Sequence, residues 1–151
     1  MERPNAWKSY DEAALTALHG VGERYKKYLN SGKTERECVT TTVELAKAQG
    51  LYTIVTDYLE PEDSEAKQAA DEYWMDSTAD VEALARKCRE TGVTAVISGL
   101  SEFNISRATE LAQLLDLPFY CTNEAWETTS DKYSFKEACR KYNVPLARDY
   151  F

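Results

Sequence analysis

The stretch Gly50-Leu51-Tyr52-Thr53-Ile54-Val55-Thr56-Asp57-Tyr58 separates two parts of the chain that follow different hydrophobic periods. Tyr52 to Val55 form an apolar run of β-branched and aromatic residues, reached from a glycine and left through Asp57. Such a run reads as a buried strand of a parallel sheet, covered on both faces. After it, short strand-like runs alternate with helical spacing; before it, nothing reads as a strand. Asp57 stands at the carboxyl end of the run, where open α/β sheets turn acidic or small polar groups toward a ligand crevice. It is a candidate substrate-facing residue.

Eighteen Lys and Arg against 26 Asp and Glu leave a net charge of −8. That balance repels phosphate, so no nucleic acid and no membrane surface is expected as a partner. No apolar run approaches the ~20 residues that span a bilayer and no signal peptide is evident, so a cytoplasmic location is expected. A length of 151 residues with 43% hydrophobic content is enough for one domain with a substantial core. The cysteines Cys38, Cys88, Cys121 and Cys139 form no Cys-x-x-Cys pair, and three of them fall on apolar helical stripes. Buried thiols in a reducing compartment are the expectation. With His19 the single histidine, no metal site is expected.

Ahead of Gly50, Ser9-Tyr10-Asp11-Glu12 reads as a capping box opening a helix through residue 30. Leu15, Leu18, Val21, Tyr25, Tyr28 and Leu29 share one face of it, and Gly20 and Gly22 weaken its middle by ~1 kcal/mol each. Thr34-Glu35-Arg36-Glu37 is a second box, opening helix 34–49 with Cys38, Val39, Val43 and Ala46 inward. Ser31-Gly32-Lys33-Thr34 mimics the end of a phosphate-binding P-loop. Lys27 stands where that motif needs its first glycine, and a helix precedes it, so a helix–helix turn is expected.

Beyond Tyr58 an acidic loop, Glu60 to Ser64, leads to a short helix near Glu65–Ala70, and Tyr73-Trp74-Met75 reads as a strand. Ser77 or Thr78 caps a helix with Val81, Leu84, Ala85 and Cys88 inward, stopped by Gly92. Val93–Ser98 reads as the next buried strand, then a loop from Gly99 to Asn104 and a helix over Ile105–Leu115. Phe119-Tyr120-Cys121 reads as a strand, with Thr122 or Asn123 capping a short turn around Trp126. Ser130 caps a last helix, Lys132–Tyr142, before a strand-like Leu146–Tyr150. The pattern predicts an α/β fold: a Rossmann-like, mostly parallel sheet over 51–151 with an N-terminal helical hairpin over 1–50, read together as one unit. Ile54, Val55, Val96 and Ile97 are the expected centre of the core.

Several segments carry a likeness through their order and spacing: Tyr52 to Tyr58, Ala70-Asp71-Glu72-Tyr73, Ser77-Thr78 with Asp80 to Leu84, and Gly99-Leu100-Ser101-Glu102. Leu117 to Tyr120 and Ser130-Asp131-Lys132 with Phe135-Lys136 continue it. Together they resemble the preATP-grasp domain of carbamoyl-phosphate-synthase-like ATP-grasp ligases, over about two-thirds of the chain. Gly99 to Asn104 also resembles the corresponding loop of biotin carboxylase. The resemblance implies ATP and Mg2+ as cofactors, with Lys132 matching a lysine that contacts the ATP phosphates. A lysine suits that task as a point charge on a flexible stem; a solvated lysine in a first helical turn is the plainer alternative. Ser101, Glu102 and Asn104 are candidate substrate-facing residues, against a polar helix start with Asn104 as its cap. The family's glycine-rich phosphate lid and magnesium-holding carboxylates have no counterpart here, so no catalytic residue is expected in this chain.

Asn5 to Asp11, Glu23-Arg24-Tyr25 and Gly32 to Val39 are similar to the amino-terminal helices of the aspartyl-aminopeptidase family of zinc peptidases. None of that family's metal ligands or catalytic carboxylates falls in this segment, so its chemistry is not implied. Joined near Gly50, the two likenesses make the chain read as a truncated or mosaic relative of a ligase that forms an acyl-phosphate and joins it to an amine. It would supply the substrate- and ATP-facing domain and not be catalytic alone. A non-enzymatic interaction module and an accessory fragment of a zinc aminopeptidase are the alternatives. The ligase domain opens on a central strand, and helix 10–30 stands in its place. The sheet then closes by direct pairing, in the order 72–75, 52–57, 94–98, 119–121, or by a strand from a second chain. Missing ATP-grasp subdomains or a second copy are the expected partners.

Overall fold

The computed structural model describes residues 5–99 and 101–147. Its helices are α1 (Glu12–Ser31), α2 (Glu35–Ala48), α3 (Glu65–Ala69), α4 (Val81–Thr91), α5 (Glu102–Leu114), α6 (Asn123–Ser130) and α7 (Lys132–Lys141). Strands β1 (Ile54–Thr56) and β2 (Glu72–Trp74) pair in parallel, with Ile54 opposite Glu72, Val55 opposite Tyr73 and Thr56 opposite Trp74. The fold is α/β, with an N-terminal helical hairpin and, among the described residues, a sheet of these two strands.

The hairpin forms where short-range signals place it. Asp11, not Ser9, caps α1: its Oδ1 accepts the Ala14 N–H at 2.8 Å, and a carboxylate there also meets the positive end of the helix dipole. The second box forms as read, with Thr34 Oγ1 accepting the Glu37 N–H at 3.2 Å and Glu37 Oε2 accepting the Thr34 N–H at 2.8 Å. Between the helices, Gly32 passes so near α2 that a Cβ on it would lie 2.8 Å from Cys38 Sγ. The P-loop look-alike is therefore a helix–helix turn. The apolar face of α1 is only partly used. Leu15, Leu18 and Tyr28 are half-buried, while Val21, Tyr25 and Leu29 stay exposed.

The core sits on α4. Trp74, Val81, Leu84, Ala85, Cys88 and Leu111 form one buried cluster, with Ile54, Val93, Val96 and Leu115 packed at its margin. The α4 stripe is the one its spacing predicts. Its cap is Asp80, whose Oδ1 accepts the Ala83 N–H at 3.0 Å. Ser77 and Thr78 are diverted, the first to the Ala79 N–H and the second to Asn104. Gly92 ends α4 at φ 72°, in the left-handed region. Cys38, Cys88 and Cys139 are buried, unbridged thiols, and burial raises the pKa of Cys88.

The expected four-stranded sheet does not form. Val93–Ser98 and Phe119–Cys121 have extended composition but are not strands. No hydrogen bond between described residues reaches Thr94 to Gly99, and Phe119 stacks on Tyr120 with ring centroids 4.2 Å apart. A β-branched run sets an extended backbone, but only a neighbour's ladder makes it a strand. The core centre shifts accordingly: Trp74 is 5% exposed, Ile54, Val55 and Val96 are half-buried, and Ile97 is 72% exposed. Elsewhere α5 begins at Glu102 instead of Ile105, Thr122 caps α6, and Asp131 replaces Ser130 as the cap of α7. Leu146 and Ala147 have no regular structure, and the rest of the expected final strand lies outside the described residues. The whole chain exposes 11,729 Å², where a compact monomer of its mass would expose ~7,800 Å².

Candidate functional site

The carboxyl ends of β1 and β2 bring together the polar groups most suggestive of a site. Helix α3 is capped by Ser64 and packs Ala66 and Lys67 inward beneath the strand ends. The Lys67 side chain is wholly buried. Its Nζ pairs with Asp57 Oδ1 at 2.8 Å and donates to the carbonyls of Asp57 at 3.0 Å and Leu59 at 2.5 Å, with Met75 Sδ at 3.1 Å. Asp57 also accepts the Leu59 N–H at 2.8 Å and the Ser64 hydroxyl at 3.4 Å. Alongside, Thr56 Oγ1 donates to the Asp76 carbonyl at 2.9 Å, and Lys87 pairs with the Asp76 carboxylate at 2.6 Å. Thr78 Oγ1 donates to Asn104 Oδ1 at 2.9 Å, tying the loop after β2 to the first turn of α5.

These contacts assign the candidate residues unequal parts. Asp57 is at the strand end as expected, but its carboxylate is committed to Lys67. Asn104 lies inside α5 and bonds Thr78, so it is not the helix cap. Ser101 takes the cap position of α5 without a side-chain cap bond, and Glu102 is exposed in the first turn. The loop expected through Asn104 therefore ends at Ser101. Lys132 is exposed in the first turn of α7, which packs on α6, which in turn packs on α5. No hydrogen bond or ion pair between described residues joins Asp57, Ser101, Glu102, Asn104 and Lys132 to one another. Sequence reasoning passed over Lys67. The available signal was a single cation three residues after the Ser64 cap, closing an acidic stretch between Ala66 and Gln68.

Chemically, the cluster is a neutralised scaffold. A buried ammonium needs an anion and acceptors for its three protons, and Lys67 has them. The same interactions hold the carbonyls of Asp57 and Leu59, which would otherwise be unpaired next to the sheet. Among the described residues no group of three or more His, Cys, Asp or Glu side chains is placed to hold a metal ion.

A second cluster lies at the amino end of β1. Asp71 Oδ2 accepts the Thr53 N–H and the Thr53 hydroxyl, each at 2.9 Å, and Asp71 Oδ1 pairs with Lys47 at 2.9 Å. The Thr53 backbone bond, then Lys47 and the Thr53 hydroxyl, hold this carboxyl at a pKa of about 2. A shallow hollow of about 280 Å³ opens beside it, lined by Lys47, Gly50, Leu51, Tyr52 and Asp71.

Over 58 residues the chain is 40% identical to the "Probable M18 family aminopeptidase 1" of Clostridium acetobutylicum. The match takes in 38% of this chain and 12% of that protein, so the chain spans about an eighth of its relative's length. This supports the aminopeptidase-like segment. No family model matches the chain, and no solved structure matches it. No helix among the described residues is long and apolar enough to cross a membrane.

Proposed function

We propose that this chain is a non-enzymatic interaction module on an α/β scaffold, working as one part of a larger assembly. The observation that carries this reading is the 11,729 Å² of exposed surface, about one and a half times that of a compact monomer. Much of the excess is apolar: Val21, Leu45, Leu51, Tyr52, Ile97 and Phe103 are all more than half exposed. Groups at the strand ends support the same conclusion, because they satisfy one another and serve the scaffold. The match to 12% of an aminopeptidase bears on the helical hairpin, and peptidase chemistry forms no part of the proposal.

A second reading has its own support. The parallel pairing of β1 with β2 is the arrangement that the ligase-like pattern led one to expect, and Lys132 presents an exposed amine at the start of α7. On that reading the chain is the substrate- and ATP-facing amino-terminal domain of an ATP-grasp ligase, with catalysis requiring further subdomains. Thermal-shift titration with ATP and magnesium separates the two, because a ligand that binds the folded state raises its melting temperature. The module predicts no shift. A shift that disappears in Lys132→Ala overturns it in favour of the ligase domain. ATP hydrolysis by the isolated chain is expected to be nil on either reading; turnover abolished by Lys132→Ala would refute both.

A further inference from the structure

Two extended segments rest on the same cluster without touching through hydrogen bonds. Ile54 of β1 and Val93 and Val96 of the segment after α4 all pack against the α4 core. The β1–β2 register and the bond from the Glu72 N–H to the Thr53 carbonyl turn Thr53 and Val55 toward β2. The backbone groups of Ile54 and Thr56 therefore face the other edge, where no described residue bonds them. Thr94 to Gly99 likewise have no hydrogen bond from a described residue. One segment is an open strand edge; the other is an extended run with nothing to pair with.

Soluble proteins guard such edges with lysine, proline or an inward charge. Neither segment has a guard: no charged residue and no proline occurs from Gly50 to Thr56 or from Val93 to Ser101. Local neutrality counts because the chain as a whole carries −8, which opposes self-association everywhere else. Each copy thus has one acceptor edge and one β-branched donor run, Thr94-Ala95-Val96-Ile97-Ser98. A reciprocal exchange about a two-fold axis uses both and leaves neither over, the closed symmetry most common among oligomers. Each copy exposes ~3,900 Å² beyond a compact monomer, more than the ~1,000–2,500 Å² per partner that obligate dimers bury, so the spare surface is ample for such an interface.

We propose that two copies of this chain pair by strand exchange, with Thr94–Ser98 of each lying along the open edge of β1 in the other. This rests on the reading of the chain as an interaction module and names its partner. Ile97 is the informative position, because at 72% exposure it contributes little to the monomer. The test is analytical ultracentrifugation of the full chain with amide exchange at Ile54 and Thr56, comparing wild type, Ile97→Val and Ile97→Lys. Wild type and Ile97→Val are expected at twice the 17.1 kDa chain mass, with those two amides slowed by ~100-fold or more. Ile97→Lys is expected at the monomer mass with helical circular dichroism unchanged and both amides exchanging freely. A monomeric wild type, a dimer with unprotected Ile54 and Thr56 amides, or a dimer that survives Ile97→Lys would each overturn the exchange. If the dimer fails while ATP still produces no thermal shift, the module reading stands and requires a different partner. An ATP shift lost in Lys132→Ala defeats the module reading whatever the sedimentation shows.

Discussion

At the residue scale, Lys67 is a wholly buried cation. Its ammonium is sealed beneath the strand ends with Asp57 and two carbonyls as partners. Lys67→Met keeps the apolar stem and removes the charge, leaving a part-buried carboxylate and two acceptors unpaired. Breaking a buried pair in this way costs ~3–5 kcal/mol, so the urea midpoint should fall sharply; an unchanged midpoint would show that the ion pair contributes nothing net. Asp71 makes a pH-dependent contribution instead. Its pKa drops from 3.8 to about 2 on folding, so its stabilisation is full above 3.8 and is lost as pH falls toward 2. Wild type should therefore be more stable than Asp71→Asn at pH ~6, with the difference shrinking through pH ~4 and gone near pH ~2. A constant difference across that range would contradict the assignment.

At the scale of elements, helices assembled from local signals while strands did not. The Thr34–Glu37 box is complete, and Thr34→Ala should cost ~0.5–2 kcal/mol through the loss of the cap on α2. Helix α4 supplies the core floor: Leu84, 3% exposed, should cost ~2–5 kcal/mol when cut to alanine. Val21 on α1 is 52% exposed, and Val21→Ala should stay within ~0.5 kcal/mol. Denaturant midpoints for the three variants check this ranking. Equal losses at Leu84 and Val21 would mean that α1 is buried as deeply as α4.

Over the whole molecule, the exposed area has a thermodynamic consequence. An unfolded chain of this mass exposes ~24,800 Å², so folding to 11,729 Å² buries roughly three-quarters of what a compact 151-residue monomer would bury. Denaturant m-values scale with that area. The monomeric Ile97→Lys variant should accordingly show an m-value about three-quarters of the norm for its length. A full-sized m-value in that variant would mean that the monomer closes its sheet alone.

Helix spans and turns were legible in the residues because each depends on groups three or four positions apart, whereas the caps of α1, α4, α5 and α7 fell on Asp11, Asp80, Ser101 and Asp131 instead of the residues read. The Thr34 box, the turn at Gly32, the α4 stripe from Val81 to Cys88 and its stop at Gly92 all belong to this class. The α/β character of the chain after Gly50 was legible for the same reason, through the change of period. The sheet was not. Val93–Ser98 has the composition of a strand, yet strand status depends on a partner that no local pattern specifies, and the slot beside β1 has none within the described chain. The site followed the same division. Asp57 was placed correctly at a strand end, but its commitment to Lys67 arises only when α3 folds back beneath that end, a contact between residues ten apart that no helical or strand period encodes.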